Sequence, residues 1–236
     1  MKILAVDTSA TSASVAVAEE NKIIGAFSIN TALTHSQTLI PMIEEVLKKT
    51  GITSEEIDIL AVNAGPGSFT GVRIGVAAVK GLAFSRNLPC VSVSTLESMA
   101  YNMLGSDCVV CAVMDARCSQ VYNALFRVSR NEITRLTEDR ALALTDLKFE
   151  LERTEEKVVL VGDGAQICAN FLNNELKNVF LAPINNRIQN ASSVACAAFK
   201  KLDDGEIMTA SELMPTYLRL PQAQRELNKK LGVNKK

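Results

Sequence analysis

Two aspartates, one histidine, a cysteine pair and two glycine loops are the residues of this 236-residue chain whose types and spacing could do chemistry. Asp7 closes the apolar run "KILAVD" and Asp115 closes "CVVCAVMD". Each carboxylate is expected at a strand end, where it could hold Mg²⁺ together with water or cap its own turn. His35, in "THSQTLIP", is the only histidine. No two-histidine metal motif can exist, and any Ser-His-Asp or Cys-His arrangement would have to run through this one ring. Its place at an expected helix start reads as a cap-region residue rather than a general base. Cys108 and Cys111 form a C-x-x-C on an expected strand, where residues three apart face opposite ways. No second ligand pair accompanies them, so the six cysteines read as small residues of a reduced core.

The first glycine loop, "NAGPGSFTGVRIG", falls between a strand and a helix, where backbone amides often cradle phosphate. It misses the familiar fingerprints. Val72-Arg73 stands where a P-loop has Lys-Ser/Thr, Thr70 where a dinucleotide loop has its third glycine, and Pro66 and Thr70 flank Ser68 where a hydrolase elbow has glycines. What remains is a turn at a helix N-terminus with Ser68 and Thr70 as candidate caps. The second loop, "LVGDGA", carries Gly162 and Gly164 in the same setting. Asp7, Asp115, Gly162 and Gly164 are the candidates for holding a nucleotide.

The elements that must position these groups come in two similar sets. Strands "KILAVD", "SASVAVAE" and "KIIGAFSI" are followed by a helix over about 36–49, the strand "DILAVNA", the glycine loop, a helix over about 70–86, the strand "CVSVS" and a helix from about Thr95 to Leu104. After Gly105 the order repeats: "CVVCAVMDA", "SQVYNALFRV", a third strand within "EITRLTED", a helix near "LTDLKFELE", "KVVLVG", "GDGA", a helix "AQICANFL", "NVFLA" and a helix "SSVACAAFKKL". Both halves read βββαβαβα. The lobes are expected at 1–104 and 105–214, with a C-terminal segment 215–236 that packs back near the first lobe and ends in a mobile basic stretch. This is an α/β chain with the plan of the actin-like ATPase (ribonuclease H-like) fold. Composition narrows the function further. A net charge of −1 offers no global basic field for nucleic acid, and the absence of Trp argues against a base-stacking surface. No signal peptide and no membrane-length apolar run is visible, which gives a cytoplasmic expectation.

The second helix is the most unusual element. Between Gly71 and Phe84 its strongly polar side chains are Arg73 and Lys80, and the rest is small or apolar. Val72, Val76 and Val79 can face its own sheet. Ile74, Ala77, Gly81 and Phe84, beside the two cations, must be covered by something else, either the first helix or a second chain.

"VDTSATSASVAV", "THSQTLIPMIEEVL", "VNAGPGSFTGVRIGVAAVKGLA", "MDARCSQVY" and "PTYLRLPQAQ" together resemble the TsaB (YeaZ) family, from Lys2 to Gln224. The resemblance implies an actin-like fold without catalytic equipment. Its function would be that of a dimerisation subunit in the attachment of threonylcarbamoyl to the adenosine beside the anticodon of tRNAs. The implied partners are a catalytic TsaD-like chain, which carries the two-histidine metal site that this chain cannot supply, and a TsaE-like ATPase. Alone, the chain would form a homodimer. The implied pairing surface uses the first two long helices, here Leu39, Met42, Ile43 and Val46 with Arg73, Ile74, Ala77, Lys80, Gly81 and Phe84. No cofactor is assigned to this chain itself; ATP or ADP would sit at the junction with the catalytic partner. Protease activity is not expected, since no nucleophile or metal centre is available for it. The competing expectation is an autonomous ATP-binding enzyme using Asp7 and Asp115. The basic end, with Arg219, Arg225, Lys229, Lys230, Lys235 and Lys236, reads as solvated, so contact with tRNA is expected to be indirect and contact with membrane absent.

Overall fold

The computed structural model describes residues 1–219 apart from Asn21 and Ala32. The end of the "PTYLRLPQAQ" motif and the basic residues beyond Arg219 lie outside the described residues.

The first half builds β1 (Ile3–Asp7), β2 (Ala13–Glu19), β3 (Lys22–Ile29), α1 (His35–Thr50), β4 (Ile59–Gly65), α2 (Phe69–Phe84), β5 (Cys90–Ser94) and α3 (Thr95–Ala100). The second builds β6 (Asp107–Asp115), β7 (Gln120–Ser129), β8 (Glu132–Arg135), β9 (Arg140–Ala143), α4 (Leu144–Leu151), β10 (Val158–Val161), α5 (Ala165–Leu172), β11 (Val179–Leu181), α6 (Ile184–Arg187) and α7 (Ala191–Asp203). One sheet has the order β3-β2-β1-β4-β5 and the other β8-β7-β6-β10-β11, each with an antiparallel hairpin joined to parallel strands. The two orders match strand for strand, which is the duplicated actin-like plan. They differ at the third strand. The strand expected within "EITRLTED" is β8, and just past that stretch the second half adds β9; both pair with β7.

Strand periodicity sorts the core. In β1, Leu4 and Val6 face α1 and α2, while Ile3 and Ala5 face α7. In β6, Cys111 and Val113 face α4 and α5, while Cys108, Val110, Ala112 and Met114 face α3. Thus α3, from the first half, covers the second sheet, and α7, from the second half, covers the first. The lobe boundaries at 104/105 and 214/215 follow chain order; the packing does not. Burying each Val, Leu or Ile contributes about 1.5–3 kcal/mol, so this exchange holds the halves together from behind the cleft they form in front. An Asn102 hub adds to it. Its Nδ2 donates to the carbonyls of Asn186 (3.0 Å) and Ile188 (2.9 Å), and its Oδ1 accepts from Asn190 and Ser193.

α1 follows from Leu39, Met42, Ile43 and Val46 at helical spacing, and it ends at Gly51 in the left-handed conformation (φ 68°). Pro41 stands inside α1, in its second turn. α2 is capped by Ser68, whose Oγ accepts from Gly71 N (3.3 Å); Thr70 plays no capping part. After α7 the chain returns to the first sheet. Met208 and Cys90 exchange backbone hydrogen bonds (2.8 and 2.9 Å), Leu213 enters the core, and Thr216 N donates to Ala64 O (2.7 Å). Among the described residues no helix is long and apolar enough to cross a membrane.

Candidate functional site

A cleft of about 720 Å³ opens between the two sheets. The β1–β2 turn (Ser9 to Thr11), the first glycine loop and the start of α1 form one side. Met114 to Arg117, Tyr122 and Asp163 form the other, and Thr216 to Arg219 run along its mouth.

The two strand-end aspartates have parallel local geometry and different fates. Asp7 Oδ1 accepts from Ser9 N (2.8 Å), and Asp115 Oδ1 accepts from Arg117 N (2.7 Å), the same turn closed two residues on. Asp7, however, is 1% exposed, with its second oxygen held by Asn63 Nδ2 (2.9 Å). Burial pushes its carboxyl up, and the bonds from Ser9 and Asn63 oppose that rise. Asp115 is open to the cleft.

The glycine loops answer to packing. A Cβ on Gly67 would strike the carbonyl oxygen of Ser9, one on Gly71 that of Thr8, and one on Gly75 would lie 2.5 Å from Thr8 Oγ1. The loop is therefore pressed against the β1–β2 turn, and Ser68 N donates to Ser9 O (2.7 Å). In the second half a Cβ on Gly162 would strike Val113 O, and one on Gly164 would lie 2.8 Å from Met114 C. Their amides are also occupied: Gly162 N donates to Arg187 O (2.6 Å) and Gly164 N to Val113 O (3.1 Å). Of the four nucleotide-holding candidates, Asp115 lines the cleft, Asp7 is buried, and Gly162 and Gly164 pack tightly against the end of β6.

His35 braces the same corner. Its Nε2 lies 2.7 Å from Ala10 O. A carbonyl can only accept, so Nε2 carries the hydrogen. The residue that sequence reasoning missed is Asp163, which faces the cleft and accepts from Gln189 Nε2 (2.9 Å). Its surroundings push its carboxyl up by desolvation, with the charges of Asp115 and Asp7 adding to the rise. The signal for it lay in aligning "AGPGS" with "VGDGA", which sets Asp163 opposite Pro66. Among the described residues no cluster of three or more His, Cys, Asp or Glu side chains is placed to share a metal ion.

The expected pairing residues separate into two groups. Leu39, Met42, Ile43 and Val46 are buried in this chain's own core, against the first sheet and α2. That corrects their assignment to a surface that a second chain could reach; the helix spacing that marked them as a face marked the core face. On α1 the exposed apolar residue is Ile40, an isolated apolar position in the outward ridge of Gln37, Pro41, Glu44 and Lys48. On α2 the outward stripe is open: Ala77 and Gly81 are exposed, Ile74 is half-buried, Phe84 is 80% exposed, and a Cβ on Gly81 would meet nothing within 4 Å. The two cations of the stripe already have partners in the chain. Lys80 Nζ donates to Leu213 O (3.0 Å) and Ser211 O (3.3 Å). Arg73 Nε donates to the Tyr217 hydroxyl (2.7 Å), and its guanidinium lies 3.7 Å above the Phe69 ring.

Comparison with known proteins places this geometry. The family model described as "TsaD: tRNA N6-adenosine threonylcarbamoyltransferase" matches residues 21–227. The "tRNA threonylcarbamoyladenosine biosynthesis protein TsaB" of Escherichia coli (strain K12) is 31% identical over 231 residues, covering 96% of this chain and 98% of that one. The protein of the same name from Bacillus subtilis (strain 168) is 28% identical over 225 residues, covering 95% and 96%. Among solved structures, YeaZ from Pseudomonas aeruginosa superposes with a TM-score of 0.73 at 26% identity, covering 92% of this chain and 99% of that one.

Proposed function

This chain belongs to the TsaB family of tRNA threonylcarbamoyladenosine biosynthesis proteins, and we propose that it works as a non-catalytic subunit that pairs with a TsaD-like catalytic chain through the outward stripe of α2. The observation that carries this reading is the stripe itself: Ile74, Ala77, Gly81 and Phe84 repeat at helical spacing, with Ile74 half-buried against the core and Ala77, Gly81 and Phe84 exposed. Small residues at its centre let another helix come close, and Phe84 offers a large apolar side chain to bury. In the absence of the catalytic chain the same stripe serves a homodimer, and a TsaE-like ATPase joins the assembled pair. Nucleotide at the junction would draw donors from the partner as well, because the amides of Gly162 and Gly164 in the second loop are engaged internally. The chain acts in the cytoplasm without protease activity, and tRNA meets the catalytic partner first.

The test is co-purification of this chain with a TsaD-like partner, comparing Ala77→Arg and Phe84→Asp. Both positions are exposed, so circular dichroism should be unchanged. Affinity is expected to drop at least about tenfold, with modified adenosine lost from tRNA. Undiminished complex and modification would overturn the assignment.

A further inference from the structure

The geometry points to a second role for the segment from Met208 to Arg219: it is a strap that couples the partner face of α2 to the opening of the cleft. This inference rests on the pairing surface proposed above.

The strap is fixed at its start by the Met208–Cys90 bridge and by Leu213 in the core. It then takes up both cations of α2. Lys80 holds the carbonyls of Ser211 and Leu213, and Arg73 holds the Tyr217 hydroxyl. The Tyr217 ring lies 4.9 Å from that of Phe69, the residue that opens α2. Two residues later Arg219 Nη1 donates to Ala116 O (3.0 Å), in the β6–β7 turn of the other sheet. Tyr217, Leu218 and Arg219 thereby form the wall of the cleft mouth. One short segment touches the outward face of α2 at Arg73 and bridges the cleft at Arg219.

The turn that Arg219 reaches has strained backbone. Arg117, Cys118 and Ser119 follow Ala116 with φ of 62°, 55° and 55°, a left-handed run of residues that carry side chains. Such backbone persists only while its surroundings hold it, and the Arg219 bond is one of the contacts that do so. Arg73 is exposed, so its stack on Phe69 competes with water. A chain that docks on α2 and covers Arg73 removes that competition, fixes Tyr217, and with it keeps Arg219 on Ala116. Coupling of this kind is reciprocal: releasing the strap at Arg219 must weaken docking by the factor that docking tightens the strap.

The test is hydrogen exchange by mass spectrometry on the full isolated chain, comparing Tyr217→Phe, Arg219→Ala and Arg219→Lys. Tyr217→Phe keeps the ring and removes only the hydroxyl. It is expected to raise exchange about tenfold both in the strap and in the turn at 115–120, with the thermal midpoint unchanged. Arg219→Ala should do the same, and Arg219→Lys, which still donates, should restore part of the protection. A Tyr217→Phe chain whose turn exchanges like the parent overturns the coupling. In a second arm, the TsaD-like chain should bind Arg219→Ala about three- to tenfold more weakly than the parent. Equal affinity overturns the coupling and leaves the pairing surface standing. If the parent itself does not bind, the pairing surface falls, and the exchange arm alone decides whether the strap holds the cleft.

Discussion

The carbonyl oxygen of Thr8 occupies the place that a side chain on Gly71 would take. The contact joins the first turn of α2 to the β1–β2 hairpin, and Thr8 Oγ1 also donates to Gly71 O (2.7 Å). Backbone cannot swing aside as a flexible side chain can. Gly71→Ala is therefore expected to destabilise the chain by about 1–3 kcal/mol or more, read from the urea midpoint. Gly81→Ala, ten residues on in the same helix and in open space, should instead gain about 0.5–1 kcal/mol from helix propensity. The pair separates packing glycine from surface glycine within one element.

Asp7 sets a pH dependence whose sign is fixed by its burial. Its carboxyl is pushed up from 3.8 in the folded chain. The folded state then holds the proton more tightly than the unfolded state does, so this group's contribution is fully present below about pH 3.8 and is lost as pH rises through the folded pKa. Asp7→Asn removes that titration. The unpartnered Asn63 Oδ1 can accept from the new amide if the Asn63 side chain flips, so the variant has a ready hydrogen bond. Denaturant midpoints taken from pH 4 to 7 should show the parent losing stability relative to Asp7→Asn. A constant difference across that range would mean that Asp7 does not titrate in the folded chain.

Much of this architecture was legible in the sequence because strands and helices announce themselves by period. The apolar runs of β1 and β6 and the repeat of "AVD" and "VMD" before a turn came from local chemistry. The site was less legible, for a physical reason. Periodicity reports that a residue is apolar on one face, not which body covers that face. Leu39 and Val46, placed on a pairing face through the family resemblance, are buried in this chain's core, while Ile40 of the same helix is exposed. Likewise spacing could show that Gly65, Gly67 and Gly71 fit no phosphate fingerprint. It could not show that Ser9 and Thr8 fill the space beside Gly67 and Gly71, and Thr216 the space beside Gly65, because those contacts join residues far apart in the sequence. Asp163 was missed since a lone Asp in a glycine turn has a local explanation that needs no cleft.

Thiol chemistry should report the same burial pattern. Cys118 is the exposed cysteine, in the left-handed turn at the cleft mouth. Burial pushes Cys111 well up and Cys168 up to about 12, so neither is a thiolate near neutral pH. A disulfide reagent is expected to modify one thiol rapidly in the folded chain, and Cys118→Ser should abolish that phase. All six should react in denaturant. A second fast thiol in the Cys118→Ser chain that maps to Cys111 or Cys168, rather than to the half-buried Cys196, would show that their cores open more readily than their packing implies.

Lys80 and Phe84 lie one helical turn apart on α2 and should fail in different ways. Lys80 Nζ donates to two strap carbonyls, Leu213 O and Ser211 O, and its loss leaves those acceptors without their charged donor. Hydrogen bonds to a charged group contribute about 1.5–3 kcal/mol; water reaches this site, so Lys80→Ala should cost near the lower end, about 1–2 kcal/mol of stability. Phe84 is 80% exposed and makes little of the fold. Phe84→Ala should leave the urea midpoint within about 0.5 kcal/mol of the parent while weakening the complex with a TsaD-like chain. Midpoints and affinities measured on both variants give four numbers. A stripe that serves a partner requires the large affinity loss to fall on Phe84→Ala and the large stability loss on Lys80→Ala. If Phe84→Ala instead costs stability and leaves affinity alone, the side chain belongs to the fold, and the partner must dock elsewhere.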